Sequence, residues 1–186
     1  MPRLAPLHCL SDASMPSTTA ALTRTGEAIR AFQDADEADV AGVWHRSGLA
    51  GYTYLPMFQA LTREMAGAVF RDHVRPGSDI RVGICDGQIV AFIAMRGAWI
   101  DRLYVDPAHW RQGWGTRLIA SARQRCPDGL DLVTHQQNLA ARALYEREGF
   151  VATAFGISPA PESVPDATYR WRPGLAAALA PAAQSQ

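Results

Sequence analysis

A chain of 186 residues, 48% of them hydrophobic, is long enough to bury one core and short for two, so a single globular domain is expected. Acidic and basic residues balance at 18 each, every basic one an arginine, which excludes a strong overall field toward nucleic acid or a membrane surface. Cys9, Cys85 and Cys126 are odd in number and widely spaced, unlike a disulfide framework or a zinc site. No run approaches the roughly 20 apolar residues of a membrane span, and a soluble, cytoplasmic protein with reduced thiols is expected.

Residues 1–26 are rich in Ser, Thr, Pro and Ala without periodicity and predict a flexible extension, with Met15 as an alternative start to Met1. Residues 27–172 predict the domain, and residues 173–186 a flexible tail. Glu27 to Phe32 alternates as a first strand. Asp34 followed by Glu37 resembles a capping box opening a helix that runs to about Ser47. Gly48 to Leu55 predicts a loop, and Pro56, favourable at a first helical position, opens a second helix to about His73. Ile80, Val82 and Ile84 alternate, Asp86-Gly87 makes a two-residue turn and Gln88 to Met95 is strongly apolar, which predicts a hairpin.

Trp99 to Val105 predicts the next strand, ended by Asp106-Pro107 because proline cannot donate to another rung. The helix after Gly113 carries Trp114, Leu118, Ile119 and Ala122 on one face and stops at Pro127. Leu130 to Thr134 predicts a strand, Asn138 to Glu148 a helix closed by Gly149, and Val151 to Ile157 and Ala167 to Trp171 two last strands. The fold class expected is α/β (α+β): a mixed, mostly antiparallel sheet of about seven strands flanked by four helices.

Two stretches carry chemistry. Arg111-Gln112-Gly113-Trp114-Gly115-Thr116 lies between a strand end and a helix start, where orphan N–H groups and the positive end of the helix dipole attract an anion. Gly113 and Gly115 let successive N–H groups converge on a phosphate, and Arg111 and Thr116 could add side-chain bonds. A plain glycine-containing turn is the alternative for this hexapeptide alone. A dinucleotide fingerprint fails because position 118 is leucine, and a P-loop fails for want of lysine. Downstream, Asn138 and Tyr145 are about two helical turns apart and share a face with Ala141, whose small side chain leaves room for a ligand. Taken singly, Asn138 reads first as a plain N-cap and Tyr145 as a half-buried core residue.

Together, Leu103-Tyr104-Val105-Asp106-Pro107, Gly113-x-Gly115, Asn138-x-x-Ala141-x-x-Leu144-Tyr145 and Gly149-Phe150 resemble the Gcn5-related N-acetyltransferase superfamily over about Glu27 to Trp171. One departure is Trp110, where the family usually has Gln or Arg; Arg111 or Gln112 would then supply that contact. The resemblance implies that main-chain groups at Leu103 and Val105 pair with the pantetheine arm of acetyl-CoA where this strand splays from Leu130 to Thr134. It implies that Arg111, Gln112, Gly113, Trp114, Gly115 and Thr116 hold the pyrophosphate, that Asn138 touches the cofactor arm and that Tyr145 faces the sulfur. The expected partners are acetyl-CoA and an amine-bearing acceptor, without metal, nucleic acid or membrane; a homodimer is compatible with this reading.

Acetyl transfer needs a neutral amine, yet an alkylamine with pKa near 10.4 is mostly protonated at pH 7, at a cost of about 4 to 5 kcal/mol. Asp101 is the carboxylate candidate for the base, with a surface partner for Arg102 as its alternative; His135, at the end of the next strand, is a further candidate. A main-chain N–H at Leu103 or Tyr104 would serve the oxyanion if the strand is bulged. Tyr145 is expected to donate a hydrogen bond to the leaving thiolate. Trp44, His45, Tyr52 and Tyr54 are expected around the acceptor. Two other readings stay open: transfer of a longer acyl group, and a non-catalytic acyl-CoA sensor or interaction protein of the same fold.

Overall fold

The computed structural model describes residues 26–175. Of the expected extension 1–26, all but residue 26, with Cys9 and Met15, lies outside the described residues, and so does the expected tail 173–186 apart from residues 173–175.

Seven strands form one sheet in the order β1-β2-β3-β4-β5-β7-β6. They are β1 (Glu27–Ala31), β2 (Asp79–Cys85), β3 (Gln88–Arg96), β4 (Trp99–Val105), β5 (Leu130–His135), β6 (Val151–Ile157) and β7 (Pro165–Trp171). The helices are α1 (Glu37–Gly51), α2 (Pro56–Gln59), α3 (Arg63–Val69), α4 (Trp114–Arg125) and α5 (Leu139–Arg147). Neighbouring strands pair antiparallel except β4 with β5. The mixed, mostly antiparallel sheet predicted from the element order is the one found.

The central strand β3 is buried at every position from Ile89 to Met95, because helices cover both faces of the sheet there. Ala91, Ile93 and Met95 belong to a core with Trp114, Leu118 and Ile119 of α4. Phe92 and Ala94, on the other face, pack with Val40 and Val43 of α1 and with Phe70. The alternation of the strand thus feeds two cores at once. No helix among the described residues is long and apolar enough to cross a membrane.

Three local expectations are corrected. Asp34 and Glu37 do not form a capping box: both carboxylates pair with Arg75, at 2.7 and 2.9 Å. The chain is instead turned into α1 by Asp36, which accepts from the Gln33 N–H at 2.8 Å and from Arg30 at 2.6 and 2.8 Å. The first helix continues past Ser47 to Gly51. Gly48 is not a stop signal but a contact: a Cβ there would lie 2.8 Å from the Phe58 ring.

The single helix expected from Pro56 to His73 is broken. Thr62 caps a new helix by accepting from the Met65 N–H at 3.2 Å, and the Leu61 carbonyl meets His45 Nε2 at 2.9 Å instead of continuing a helical ladder. α3 then widens into a π-helical turn over Phe70–Val74, which keeps Phe70 and Val74 in the core.

Candidate active site

β4 and β5 pair at one position, Trp99 with Asp131, and diverge beyond it. β5 is taken up by β7 on its other side along all of Leu130–His135, so the gap toward β4 is left for side chains. It forms a cleft of about 770 Å³ lined by Asp101, Leu103, Tyr104, His135, Asn138, Ala141 and Tyr145, among others. The divergence expected at this pair of strands is therefore present.

The Asp106 N–H donates to the Val90 carbonyl at 2.8 Å. The alternation that follows sets Tyr104 in a bonded pair with Phe92 and turns the main-chain groups of Leu103 and Val105 toward the gap. Further up the strand, Ala94 opposes Arg102 and Met95 opposes Ile100, which leaves Asp101 as the extra residue of a bulge. Of the two N–H groups proposed for an oxyanion, that of Tyr104 faces β3 and that of Leu103 faces the cleft. The Val105 carbonyl already has a partner: it accepts from the Trp110 indole at 2.7 Å.

At the start of α4, Gly113 takes φ +86° and Arg111 φ +63°, so the loop turns sharply and its tip is solvent-exposed at Arg111, Gln112 and Gly113. The helix that begins here is 12 residues long, with the Arg117 N–H returning to the Gly113 carbonyl at 3.0 Å. The other side chains of the loop have structural partners. Trp114 is 1% exposed and fills space that a Cβ on Gly83 would otherwise take, at 2.8 Å. A Cβ on Gly115 would meet the Leu144 side chain at 2.7 Å. The Thr116 hydroxyl donates to Glu148 at 2.6 Å and Gln112 to the Ala108 carbonyl at 3.2 Å. What the loop offers an anion is its main chain and Arg111.

Asn138 caps α5, its side-chain oxygen accepting from the Ala141 N–H at 3.2 Å. Tyr52, which lines the same cleft, has its ring 6.3 Å from that of Tyr104. Tyr145, 6% exposed, is held by Phe150 and Tyr169, with ring centroids at 5.6 and 6.0 Å. Burial, and then the charge that Tyr52 would carry, push the Tyr145 phenol well above its ordinary pKa. Burial likewise raises Tyr52 and Tyr104. All three therefore stay neutral hydrogen-bonding phenols near pH 7.

Asp101 lines the cleft but faces two guanidinium groups, Arg102 at 3.2 Å and Arg96 at 4.0 Å. Both of its readings thus have a physical basis in one place. His135, the second candidate, is 8% exposed. Its Nδ1 lies 3.1 Å from the Tyr54 hydroxyl and its Nε2 2.9 Å from Glu162. Of the aromatic residues expected around the acceptor, Trp44 and Tyr52 line the cleft, Tyr54 stands behind His135, and His45 is tied to Leu61. Glu162 and Phe58, which also line it, carry no local signal: one is a carboxylate in a proline-rich loop, the other an apolar residue of a short helix. Among the described residues, no group of three His, Cys, Asp or Glu side chains converges as for a metal ion.

A family model described as an acetyltransferase (GNAT) domain matches residues 76–152 of the chain. The chain is 27% identical over 127 residues to the peptidyl-lysine N-acetyltransferase YjaB of Salmonella typhimurium, covering 67% of this chain and 83% of that protein. Among solved structures it is similar to apo-form YjaB from Escherichia coli, with TM-score 0.66, 21% identity, and 78% of this chain and 97% of that one covered. It is also similar to the PaiA N-acetyltransferase of Thermoplasma acidophilum in complex with coenzyme A, with TM-score 0.62, 16% identity, and 78% and 98% covered. At these identities the structural likenesses speak for the fold.

Proposed function

Since the chain belongs to the Gcn5-related N-acetyltransferase superfamily, we propose that it moves the acetyl group of acetyl-CoA to a primary amine by direct attack in a ternary complex. The observation that carries this reading is the cleft between β4 and β5, with Tyr145, Asn138 and the outward-facing main chain of Leu103 on its walls. A helix start with an exposed arginine stands at the end of the same strand.

Acetyl-CoA supplies an activated thioester and a thiolate leaving group. The chain's own residues fit such a ligand. The main chain of 111 to 116, with Arg111, would hold the pyrophosphate; Thr116, Gln112 and Trp114 shape the loop through their own partners. Leu103 and, once Trp110 yields, Val105 would pair with the pantetheine amides. Ala141 leaves space beside α5, and Asn138 lies at the arm. The Leu103 N–H, next to the Asp101 bulge, is the donor for a developing oxyanion. Tyr145, kept neutral by burial, donates a hydrogen bond as negative charge grows on the sulfur. Full ionisation of this buried phenol would be uphill. Asp101 remains the carboxylate nearest the bulge and a candidate proton acceptor.

The acceptor is a primary amine. The peptide lysine named for the Salmonella relative is one member of that class, an ammonium at the end of a flexible apolar stem. Cys85 and Cys126 carry thiols rather than a disulfide, which supports the cytoplasm as the compartment. The test is release of thiol from acetyl-CoA across a panel of amines and peptides, paired with thermal shift. Stabilisation by acetyl-CoA together with turnover on an amine is expected. Stabilisation without turnover on any acceptor would favour the sensor reading instead.

A further inference from the structure

Three residues far apart in sequence meet at the acceptor side of the cleft. Tyr54 follows α1, His135 ends β5 and Glu162 lies in the loop between β6 and β7. A carboxylate only accepts, so His135 meets Glu162 through an Nε2–H, and its Nδ1 faces the Tyr54 hydroxyl. The imidazole thus bridges the Tyr54 hydroxyl and the Glu162 carboxylate. Burial comes first in raising the Tyr54 phenol, and the neighbouring Tyr52 and Glu162 add to it, so Tyr54 remains a donor. The loop itself is closed by Ser158, whose N–H donates to the Val164 carbonyl at 2.8 Å and whose hydroxyl accepts from the Val164 N–H at 3.1 Å. Glu162 is thus held from the ring side and from the loop side.

Glu162 lines the cleft, and its side chain is 32% exposed, at the rim. One bond from His135 leaves acceptor capacity on the carboxylate. The ionisable groups that share the cleft with it or bond to its neighbours are Tyr52 and Tyr54 after α1, Asp101, Arg102 and Tyr104 of β4, His135 of β5, Tyr145 of α5 and Asp166 of β7. Three carboxylates, Asp101, Glu162 and Asp166, line the cleft; Asp101 is offset by Arg102 at 3.2 Å and Arg96 at 4.0 Å, which leaves Glu162 and Asp166 as the source of the negative bias. The rest of the acceptor side is aromatic: Tyr52 lies 5.5 Å from the His135 ring and 4.5 Å from the Phe58 ring. Trp44, 4% exposed, lines the same space with an indole N–H that has no well-formed hydrogen bond among the described residues. A negatively biased, aromatic-walled cavity attracts a cation and repels a carboxylate.

We propose that Glu162, oriented by His135, is the specificity-determining residue that captures the acceptor as an alkylammonium, so that cationic primary amines without a neighbouring carboxylate are taken in preference to amino acids. This rests on the acetyl-transfer reading above. Glu162 touches the acceptor; His135 and Tyr54 are positioning residues that act through it. An amino acid would bring its own carboxylate toward Glu162 and Asp166. A lysine side chain or a diamine brings only positive charge.

The experiment follows thiol release from acetyl-CoA at pH 7 with butylamine, 1,5-diaminopentane and a lysine-containing peptide. Aniline, whose nitrogen is neutral at that pH, is run beside them. In Glu162→Gln, KM for the cationic acceptors rises roughly 10- to 100-fold, the worth of a charge-assisted bond, and KM for aniline does not follow it. The thermal shift given by acetyl-CoA stays that of the wild type, which separates loss of the subsite from loss of the fold or of cofactor binding. His135→Leu reproduces the rise by releasing Glu162. His135→Gln, which retains a donor toward Glu162 and an acceptor toward Tyr54, restores most of it. Turnover with unchanged KM for alkylamines in Glu162→Gln, an equal rise for aniline, or a lost acetyl-CoA shift each overturns the subsite and leaves acetyl transfer standing. No thiol release from the wild type with any acceptor removes the acetyl-transfer reading, and the subsite with it.

Discussion

The indole N–H of Trp110 donates to the main-chain carbonyl of Val105 at 2.7 Å, across the end of the strand on which the cofactor arm is expected to lie. Trp110 stands where the family usually has a Gln or Arg, and here it covers an acceptor that the pantetheine would use. Displacing a bond of this kind costs about 0.5 to 1.5 kcal/mol. Trp110→Phe, which keeps the ring and removes the donor, should therefore bind acetyl-CoA roughly 2- to 10-fold more tightly by calorimetry. Weaker binding by the variant would show that the indole contributes to the cofactor site instead.

Tyr145→Phe tests the hydrogen bond to the leaving group. Turnover should fall by roughly 100-fold, and acetyl-CoA affinity by less than about threefold, because the bond strengthens only as charge develops. Stopped-flow or steady-state thiol release against a binding titration separates the two. Equal turnover in the mutant would remove Tyr145 from the mechanism.

The same burial gives the alkaline stability a sign. Tyr52, Tyr104 and Tyr145 all have raised pKa values in the fold, whereas an unfolded tyrosine titrates near 10. Above about pH 10 the unfolded chain loses protons that the folded one retains, so stability falls as pH rises through that range. Chemical denaturation between pH 8 and 11 should show this loss, with a shallower slope in Tyr145→Phe.

At the acid end, Asp36 anchors β1 to the start of α1. Hydrogen bonds from Arg30, then from the Gln33 main chain, hold its carboxyl below the usual range against the opposing effect of burial. Its contribution is complete above pH 4 or so and is lost as pH falls through the lowered value. Asp36→Asn should cost about 2 kcal/mol at pH 7, since it weakens a charge-assisted pair and an N-terminal turn together. The gap between mutant and wild type should narrow toward pH 2.

Gly83 and Trp114 are coupled through space. A Cβ on Gly83 would meet two ring atoms of Trp114 at 2.8 Å and the Ala91 Cβ at 3.3 Å. Gly83→Ala should lower stability by about 1 to 3 kcal/mol through overpacking. Combined with Trp114→Leu, the two losses should be less than additive in urea denaturation, because the smaller side chain makes room for the methyl.

Much of the fold was legible because its signals are local. Period-2 alternation marked β2 and the apolar run marked β3; Asp86-Gly87 marked the turn between them, and Gly149 the end of α5. Where a local signal misled, a distant partner had taken the residue. Gly48 looked like a loop and is a helical residue making room for Phe58; Asp34 and Glu37 looked like a capping box and serve Arg75; and the run from Pro56 hid a break that Thr62 caps and His45 stabilises.

The site divides in the same way. By itself the sequence determined the element order, the glycine-bearing helix start and the spacing of Asn138 and Tyr145 on one helix face, since each depends only on residues a few positions apart. Tertiary structure decided that the Trp114 and Thr116 side chains have partners of their own and that Leu144 packs against Gly115, that the Leu103 main chain opens to the cleft, and that Trp110 covers Val105. It also brought Tyr54 and Glu162 to His135 across 81 and 27 residues of chain. Those outcomes follow from strand register and from the divergence of β4 and β5. Both are set by contacts between distant segments, and so neither leaves a mark in the local pattern of residues.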